Sequence, residues 1–168
     1  MIHVEPMLPE IREKIKRTMK ALKGLDYDAE EVSAREFYDF MTGEIFSEDK
    51  TTLRDVLDSD YLMIHELVEI SELKKTGRRI DRRVVVDSPR TVIYKAHLFA
   101  MEFEMDYALK RGGLAWVKKR IGHHRGVLFD DPNLPEAMRL RARAIYDKFR
   151  KYEDPLPNLQ STDKHSVV

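Results

Sequence analysis

The sequence predicts an all-α protein, a compact bundle of five to six helices with at most one short extended segment. Along most of the chain apolar residues recur every three to four positions, which is the spacing of an amphipathic helix. β-Branched residues cluster only at 84–86, and one strand forms no sheet. Since 168 residues is a usual length for one domain, we expect a single helical domain over 1–153. The periodicity stops after it, which predicts a disordered tail over 154–168.

Capping and helix-breaking residues set the bounds of the predicted helices. Gly24 ends the first helix, Asp28 caps the second, and Ser47 begins a long third helix. Pro89 lies near the first turn of the fourth helix, and Gly112 stops it. The predicted spans are 8–23, 28–46, 47–76, 90–111, 114–121 and 136–152, with a strand or extended crossing near 78–86 and a glycine-bounded loop at 122–126.

Composition excludes several classes of protein. Charged residues make up 36% of the chain and the mean hydropathy is −0.52. No apolar run approaches the roughly 18 residues of a bilayer span, and the first residues lack the core of a signal peptide, so we expect a cytoplasmic protein. The dense charge, with one Gln and two Asn, is typical of hyperthermophile proteins and predicts a thermophilic source.

The absence of cysteine limits the chemistry further. It excludes disulfides, thiolate nucleophiles and Cys-based zinc sites, so any metal must bind through His, Asp and Glu. The glycines form no phosphate-binding loop, and the serines have no recognisable nucleophile context. With 30 basic and 30 acidic residues the net charge is zero, which does not favour nucleic acid as a partner.

A narrow polar stripe lies on the predicted third helix. At about 100° per residue, Asp58, His65, Glu69 and Glu72 fall within about 60° of one another, while most of the rest of the helix is apolar. An apolar helix with one acidic stripe is usually central in its bundle. The alternative is that the stripe is a solvated face.

The next long helix carries a matching pair, His97 and Glu104, which point the same way because seven residues make about two turns. Apolar residues flank both. We predict that His65 and His97 approach each other across two packed helices, and that His65, Glu69, Glu72 and His97 bind a divalent metal ion. The alternative is that His97 and Glu104 form a hydrogen-bonded pair at the edge of the core.

Two short patterns resemble known families. His65-Glu66-Leu67-Val68-Glu69 is similar to the first part of a zincin helix, in which HExxH supplies two zinc-binding histidines and a glutamate base; here Glu69 stands where the second histidine belongs. Glu69-Ile70-Ser71-Glu72, followed by Glu102 and Asp106, resembles the ExxE…ExxD carboxylates of the all-α NTP pyrophosphatases of the MazG type, which hold magnesium between helices. The second motif here reads ExxxD.

Basic residues form two groups. Arg78, Arg79, Arg82 and Arg83 follow the metal helix and are predicted to bind substrate phosphate. Lys118 to Arg120 and His123 to Arg125 form the second group, with the histidines in the predicted loop. Alternatively, the arginines pair with neighbouring carboxylates and the second group complements a helix C-terminus.

These features predict a metal-dependent hydrolase acting on a phosphorylated or nucleotide-like small molecule. The metal would polarise the phosphoryl group and activate water, while Glu66 or Glu104 takes a proton. The alternative function is a non-catalytic helical interaction or nucleic-acid-binding module, which requires the two basic groups to share one exposed face. The hydrolase requires instead that the histidines and glutamates converge.

Overall fold

The all-α class is confirmed by the computed structural model, which describes residues 7–47, 49 and 51–153. Within these ranges the chain forms eight α-helices and no strand, and a short 3-10 turn follows the last helix. The helices are α1 Leu8–Gly24, α2 Ala34–Thr42, α3 Leu53–Leu57, α4 Asp60–Lys75, α5 Val84–Asp87, α6 Arg90–Lys110, α7 Leu114–Asp130 and α8 Glu136–Phe149, followed by the 3-10 turn Arg150–Tyr152. The predicted tail, 154–168, lies outside the described residues.

The α4 and α6 helices form the centre of the bundle and pack along each other. One apolar cluster joins α1 to α4 with part of α6, and a second fills the space between α6, α7 and α8. Since both central helices are covered on most sides, even polar side chains on them are buried: His65 is 2% exposed and Glu104 is 0% exposed. Such groups need hydrogen-bond partners, which decides the chemistry of the site.

Local capping explains why the predicted second and third helices differ from those observed. The α2 helix begins after Ser33, because Ser33 and Glu36 form a reciprocal capping box with two hydrogen bonds of 3.0 Å. The predicted third helix is divided into α3 and α4, since Ser59 adopts an extended conformation and its hydroxyl accepts a hydrogen bond from the Leu62 amide. The polar stripe therefore belongs to α4, except for Asp58, which is the C-cap of α3.

Two other predicted elements are wrong in type. Residues 84–86 lie in the one-turn helix α5 and form no strand. The predicted loop 122–126 is part of α7, which continues through Gly122 and Gly126. A glycine inside a helix costs about 1 kcal/mol relative to alanine, which the packing of Ile121 and Leu128 in the second apolar cluster offsets. Within the described residues, no helix is both long enough and apolar enough to cross a bilayer.

Gly43 holds the segment 43–47 against the chain before α5, and its replacement is expected to disturb this contact. A Cβ atom at this position would lie 2.5 Å from the carbonyl oxygen of Arg82, which accepts a hydrogen bond of 2.8 Å from the Glu44 amide. We expect Gly43→Ala to lower the free energy of unfolding by about 1–3 kcal/mol, measured by urea denaturation.

Gly122→Ala is the matched control, because a Cβ atom there meets nothing within 4 Å. In the middle of a helix this change is expected to raise stability by about 0.5–1 kcal/mol. A Gly43→Ala protein as stable as the unmodified protein would show that the segment is not held by the Arg82 carbonyl.

Candidate metal centre

The α4 and α6 helices bring together three side chains that could hold a metal ion: His65, Glu69 and His97. One ligand atom from each lies within 4.8 Å of the others. The Nε2 atom of His65 is 3.4 Å from Oε2 of Glu69, and Nδ1 of His97 is 3.6 Å from Oε1 of the same carboxylate. Ligands at about 2.1 Å from a tetrahedral ion lie about 3.4 Å apart, so these separations suit a shared ion.

The predicted approach of the two histidines is confirmed. Their ring centroids are 5.1 Å apart in an edge-to-face arrangement. The reason is the one that the sequence indicated: each histidine lies on the face of its helix that packs against the other helix. His65 and Glu69 are one turn apart on α4, while His97 reaches them from α6.

Glu104 lies behind His65 and supports its ring. Its Oε1 atom is 2.8 Å from Nδ1 of His65, on the side of the ring away from Glu69. Two residues of α7 saturate the same carboxylate: Trp116 donates from Nε1 at 2.6 Å, and Arg120 donates from Nε and Nη2 at 2.8 and 3.0 Å. A buried carboxylate that receives the Nδ1 proton orients the imidazole so that Nε2 is the free ligand atom. The predicted proton acceptor Glu104 is therefore placed to position His65.

The charges of this cluster favour a bound cation. Burial alone would raise the pKa of Glu69 and of Glu104. The imidazoles of His65 and His97 beside Glu69, and the hydrogen bonds of His65 and Arg120 to Glu104, outweigh burial and hold both pKa values well below their usual range. Burial alone would lower the pKa of His65, yet Glu104 and Glu69 raise it to about 10. The two carboxylates thus stabilise the protonated form of His65. A metal ion that coordinates Nε2 would replace the proton on that atom.

Glu66 stands beside the cluster and is the best-placed proton acceptor. It is half-buried, it lines the same cavity, and it has no hydrogen-bond partner among the described residues. Burial and the neighbouring charge of Glu69 raise its pKa well above its usual range. A carboxylate with a raised pKa is a stronger base than an ordinary one, so it accepts the proton of a water molecule more readily.

A cavity of about 700 Å³ opens beside these residues and is large enough for a small molecule. Its lining is mixed. The polar and ionisable lining residues include His65, Glu66, Glu69, His97, Arg120 and His123, and the apolar ones include Phe40, Met41, Ile45, Phe46, Leu62, Val85 and Ile93. The cluster therefore faces a space in which a substrate could meet it.

Several predicted site residues lie elsewhere. Glu72 accepts a hydrogen bond of 2.7 Å from the Tyr27 hydroxyl and pairs with Lys75 at 3.0 Å, and it does not line the cavity. The carboxylates that resemble the MazG pattern do not converge either. Glu102 and Asp106 face α8, where Glu102 pairs with Arg141 and both pair with Lys148.

The four arginines predicted to bind phosphate are also outside the cavity. None of Arg78, Arg79, Arg82 and Arg83 is among the described residues that line it. Arg82 donates hydrogen bonds to the hydroxyl and carbonyl oxygens of Thr42, and Arg83 pairs with Glu44 and Asp87. Arg83 therefore makes the carboxylate pairs of the alternative interpretation, whereas the partner of Arg82 is Thr42.

The second basic group is divided by the continuous α7 helix. Arg120 turns inward to Glu104, His124 is buried with its Nε2 atom 2.8 Å from the Ala142 carbonyl oxygen, and Arg125 pairs with Glu153. Lys118 and Lys119 are exposed. Because Arg120 and His124 turn into the protein, the second basic group does not present all of its residues on one exposed surface.

Three α7 residues of the site were not assigned to it from the sequence: Arg120 and His123 were identified only as members of the second basic group, and Trp116 was not included. The predicted loop at 122–126 separated His123 from the helix that carries the other two. In a continuous helix, Trp116, Arg120 and His123 are spaced by four and three residues and lie on one face. That spacing was the signal that could have identified them.

No family model matches the chain, nor does any curated protein or any solved structure.

Proposed function

We propose that the protein is a metal-dependent hydrolase whose divalent ion is bound by His65, Glu69 and His97. The observation that carries the proposal is the convergence of these three side chains beside a cavity of small-molecule size. Two histidines and one glutamate are the protein ligands of catalytic zinc in several hydrolases, in which the fourth position is left for water. Structural zinc sites, in contrast, usually have four protein ligands.

The hydrogen bonds that hold His65 and Glu104 support a catalytic role. Glu104 fixes the orientation of His65, and Arg120 and Trp116 fix Glu104. A ligand supported in this way holds its geometry when the ion exchanges water for substrate. A divalent ion at this point would polarise a substrate oxygen and lower the pKa of a water molecule, and Glu66 would accept the proton of that water.

The test is the substitution Glu66→Gln. We expect the zinc-loaded variant to keep its metal content, because Glu66 is not one of the three converging ligands. Hydrolysis of whichever substrate the unmodified protein accepts, from a panel of carboxylic esters, amides and phosphate esters, should fall at least about 100-fold, since the proton acceptor is lost. Metal content is measured by elemental analysis and hydrolysis by release of a chromogenic alcohol or amine.

Glu72→Gln is the matched control, because Glu72 lies on the same helix but outside the cavity. It should retain both metal and activity. A protein that takes up no divalent metal ion, or a Glu66→Gln variant as active as the unmodified protein, would contradict the proposal.

A further inference from the structure

The lining of the cavity carries an excess of negative charge. Besides Glu66, four carboxylates line it among the described residues: Asp49, Glu69, Asp130 and Asp131. Glu48 and Lys50, which lie outside the described residues, carry opposite charges. The one guanidinium in the lining, Arg120, is already paired with the buried Glu104. One divalent ion bound by neutral histidines would leave the cavity net negative.

This charge opposes a phosphorylated substrate. A phosphate monoester carries about −1.5 to −2 charges at pH 7, and sites that bind it supply arginines, lysines or a second metal ion. Arg82 and Arg83 are exposed and do not line the cavity. Arg82 contacts Thr42, and Arg83 contacts Glu44 and Asp87. Of the acidic residues in the lining, Asp130 is exposed, and Asp49 accepts a hydrogen bond of 2.9 Å from the Thr51 amide.

The apolar residues of the lining suit a hydrocarbon group. Phe46 packs against Tyr94 with ring centroids 5.9 Å apart, and Ile45, on the same segment, is 49% exposed. Both residues line the cavity with Leu62 and Ile93. Removing apolar area from water stabilises by about 25 cal/mol per Å², so an alkyl or aryl group placed here would supply binding free energy without charge.

We infer that the substrate is an uncharged carboxylic ester or amide that bears an apolar acyl group. This inference rests on the proposed function and names its substrate class. The oxygen of water forms a bond to the carbonyl carbon, and the proton of the water passes to Glu66. The bond from the carbonyl carbon to the leaving oxygen or nitrogen then breaks, and Glu66 returns the proton to the leaving atom. The products are a carboxylic acid and an alcohol or amine, and one water molecule is consumed.

The experiment uses the full chain loaded with zinc and a series of 4-nitrophenyl alkanoates. We expect zinc-dependent hydrolysis whose kcat/KM rises at least tenfold from the acetate ester to the hexanoate ester. The substitution Ile45→Asp should remove most of this rise, because Ile45 is one of the apolar residues that line the cavity. Rates of hydrolysis of esters and phosphates do not report binding preference, because the two bonds differ in intrinsic reactivity. Competitive inhibition is therefore used to compare the binding of the two classes of ligand. Against the hexanoate ester, hexanamide should inhibit at least tenfold more strongly than hexyl phosphate.

Each contrary result has a distinct meaning. Absence of bound zinc contradicts the proposed function itself. Zinc binding without hydrolysis of any alkanoate, stronger inhibition by hexyl phosphate, or faster hydrolysis of 4-nitrophenyl phosphate than of the hexanoate overturns the inferred substrate and leaves the metal centre in place. Two zinc ions per chain would also overturn it, because the second ion would neutralise the acidic lining.

Discussion

His97→Ala is expected to lower the affinity for zinc at least about 100-fold while leaving the fold intact. His97 supplies one of three converging ligands, and loss even of a group that only supports a metal ligand costs 10–100-fold in affinity. The side chain is 22% exposed and its nearest charged partner is Glu69, at 3.6 Å, so its removal leaves a small space at the wall of the cavity. Affinity is measured by competition with a chelator, and the fold by circular dichroism.

His123→Ala is the control for this substitution. His123 also lines the cavity but is not one of the three converging residues. It should change the affinity for zinc by less than the His97 substitution does. Equal affinities of the His97→Ala protein and the unmodified protein would remove His97 from the site.

Replacement of Glu104 is expected to cause the largest loss of stability, about 3–5 kcal/mol. The carboxylate is 0% exposed and is bound by His65, Arg120 and Trp116. In Glu104→Gln the size is kept, but Arg120 loses its charged partner in a buried position. The variant should also bind zinc more weakly, because nothing then fixes the orientation of His65.

Glu102→Gln provides the comparison, since Glu102 lies on the same helix and pairs with Arg141 and Lys148 near the surface. Such pairs contribute up to about 1 kcal/mol. Urea denaturation of the metal-free proteins measures both effects. If Glu104→Gln were no less stable than Glu102→Gln, the buried network would not hold α4, α6 and α7 together.

Helical periodicity predicted the centre of the site because the centre lies on two long, regular helices. The direction of His65 follows from its spacing along α4, and that of His97 from its spacing along α6. Both helices are largely apolar apart from these stripes, so that the polar residues had to be buried between them. Glu69 was predicted for the same reason.

Periodicity could not separate residues on one stripe from one another. Glu72 shares the stripe with Glu69 but lies one turn further along α4, where Tyr27 and Lys75 bind it. Glu104 likewise points into the helix pair. Its complete burial and its hydrogen bonds from Trp116 and Arg120 depend on how α4, α6 and α7 pack together. Those distances are tertiary, and spacing along one helix does not contain them.

The contribution of α7 was missed because of its glycines. Gly122 and Gly126 flank a segment with two histidines, a pattern that is typical of a loop. The helix nevertheless stays continuous, because Val117, Ile121 and Leu128 pack in the second apolar cluster. The arginines at 78–83 were assigned to the site because they follow the metal helix along the chain. Their positions depend on tertiary contacts that follow α4, in which Arg82 binds Thr42 and Arg83 binds Glu44 and Asp87.

The most direct test of the metal centre is anomalous diffraction at the zinc absorption edge from crystals grown with zinc. We expect one strong peak at about 2.0–2.2 Å from Nε2 of His65, a carboxylate oxygen of Glu69 and a ring nitrogen of His97. A map from crystals of the His97→Ala protein should lack this peak. An unmodified protein whose only zinc peaks lie at surface carboxylates, with none among these three side chains, would contradict the account.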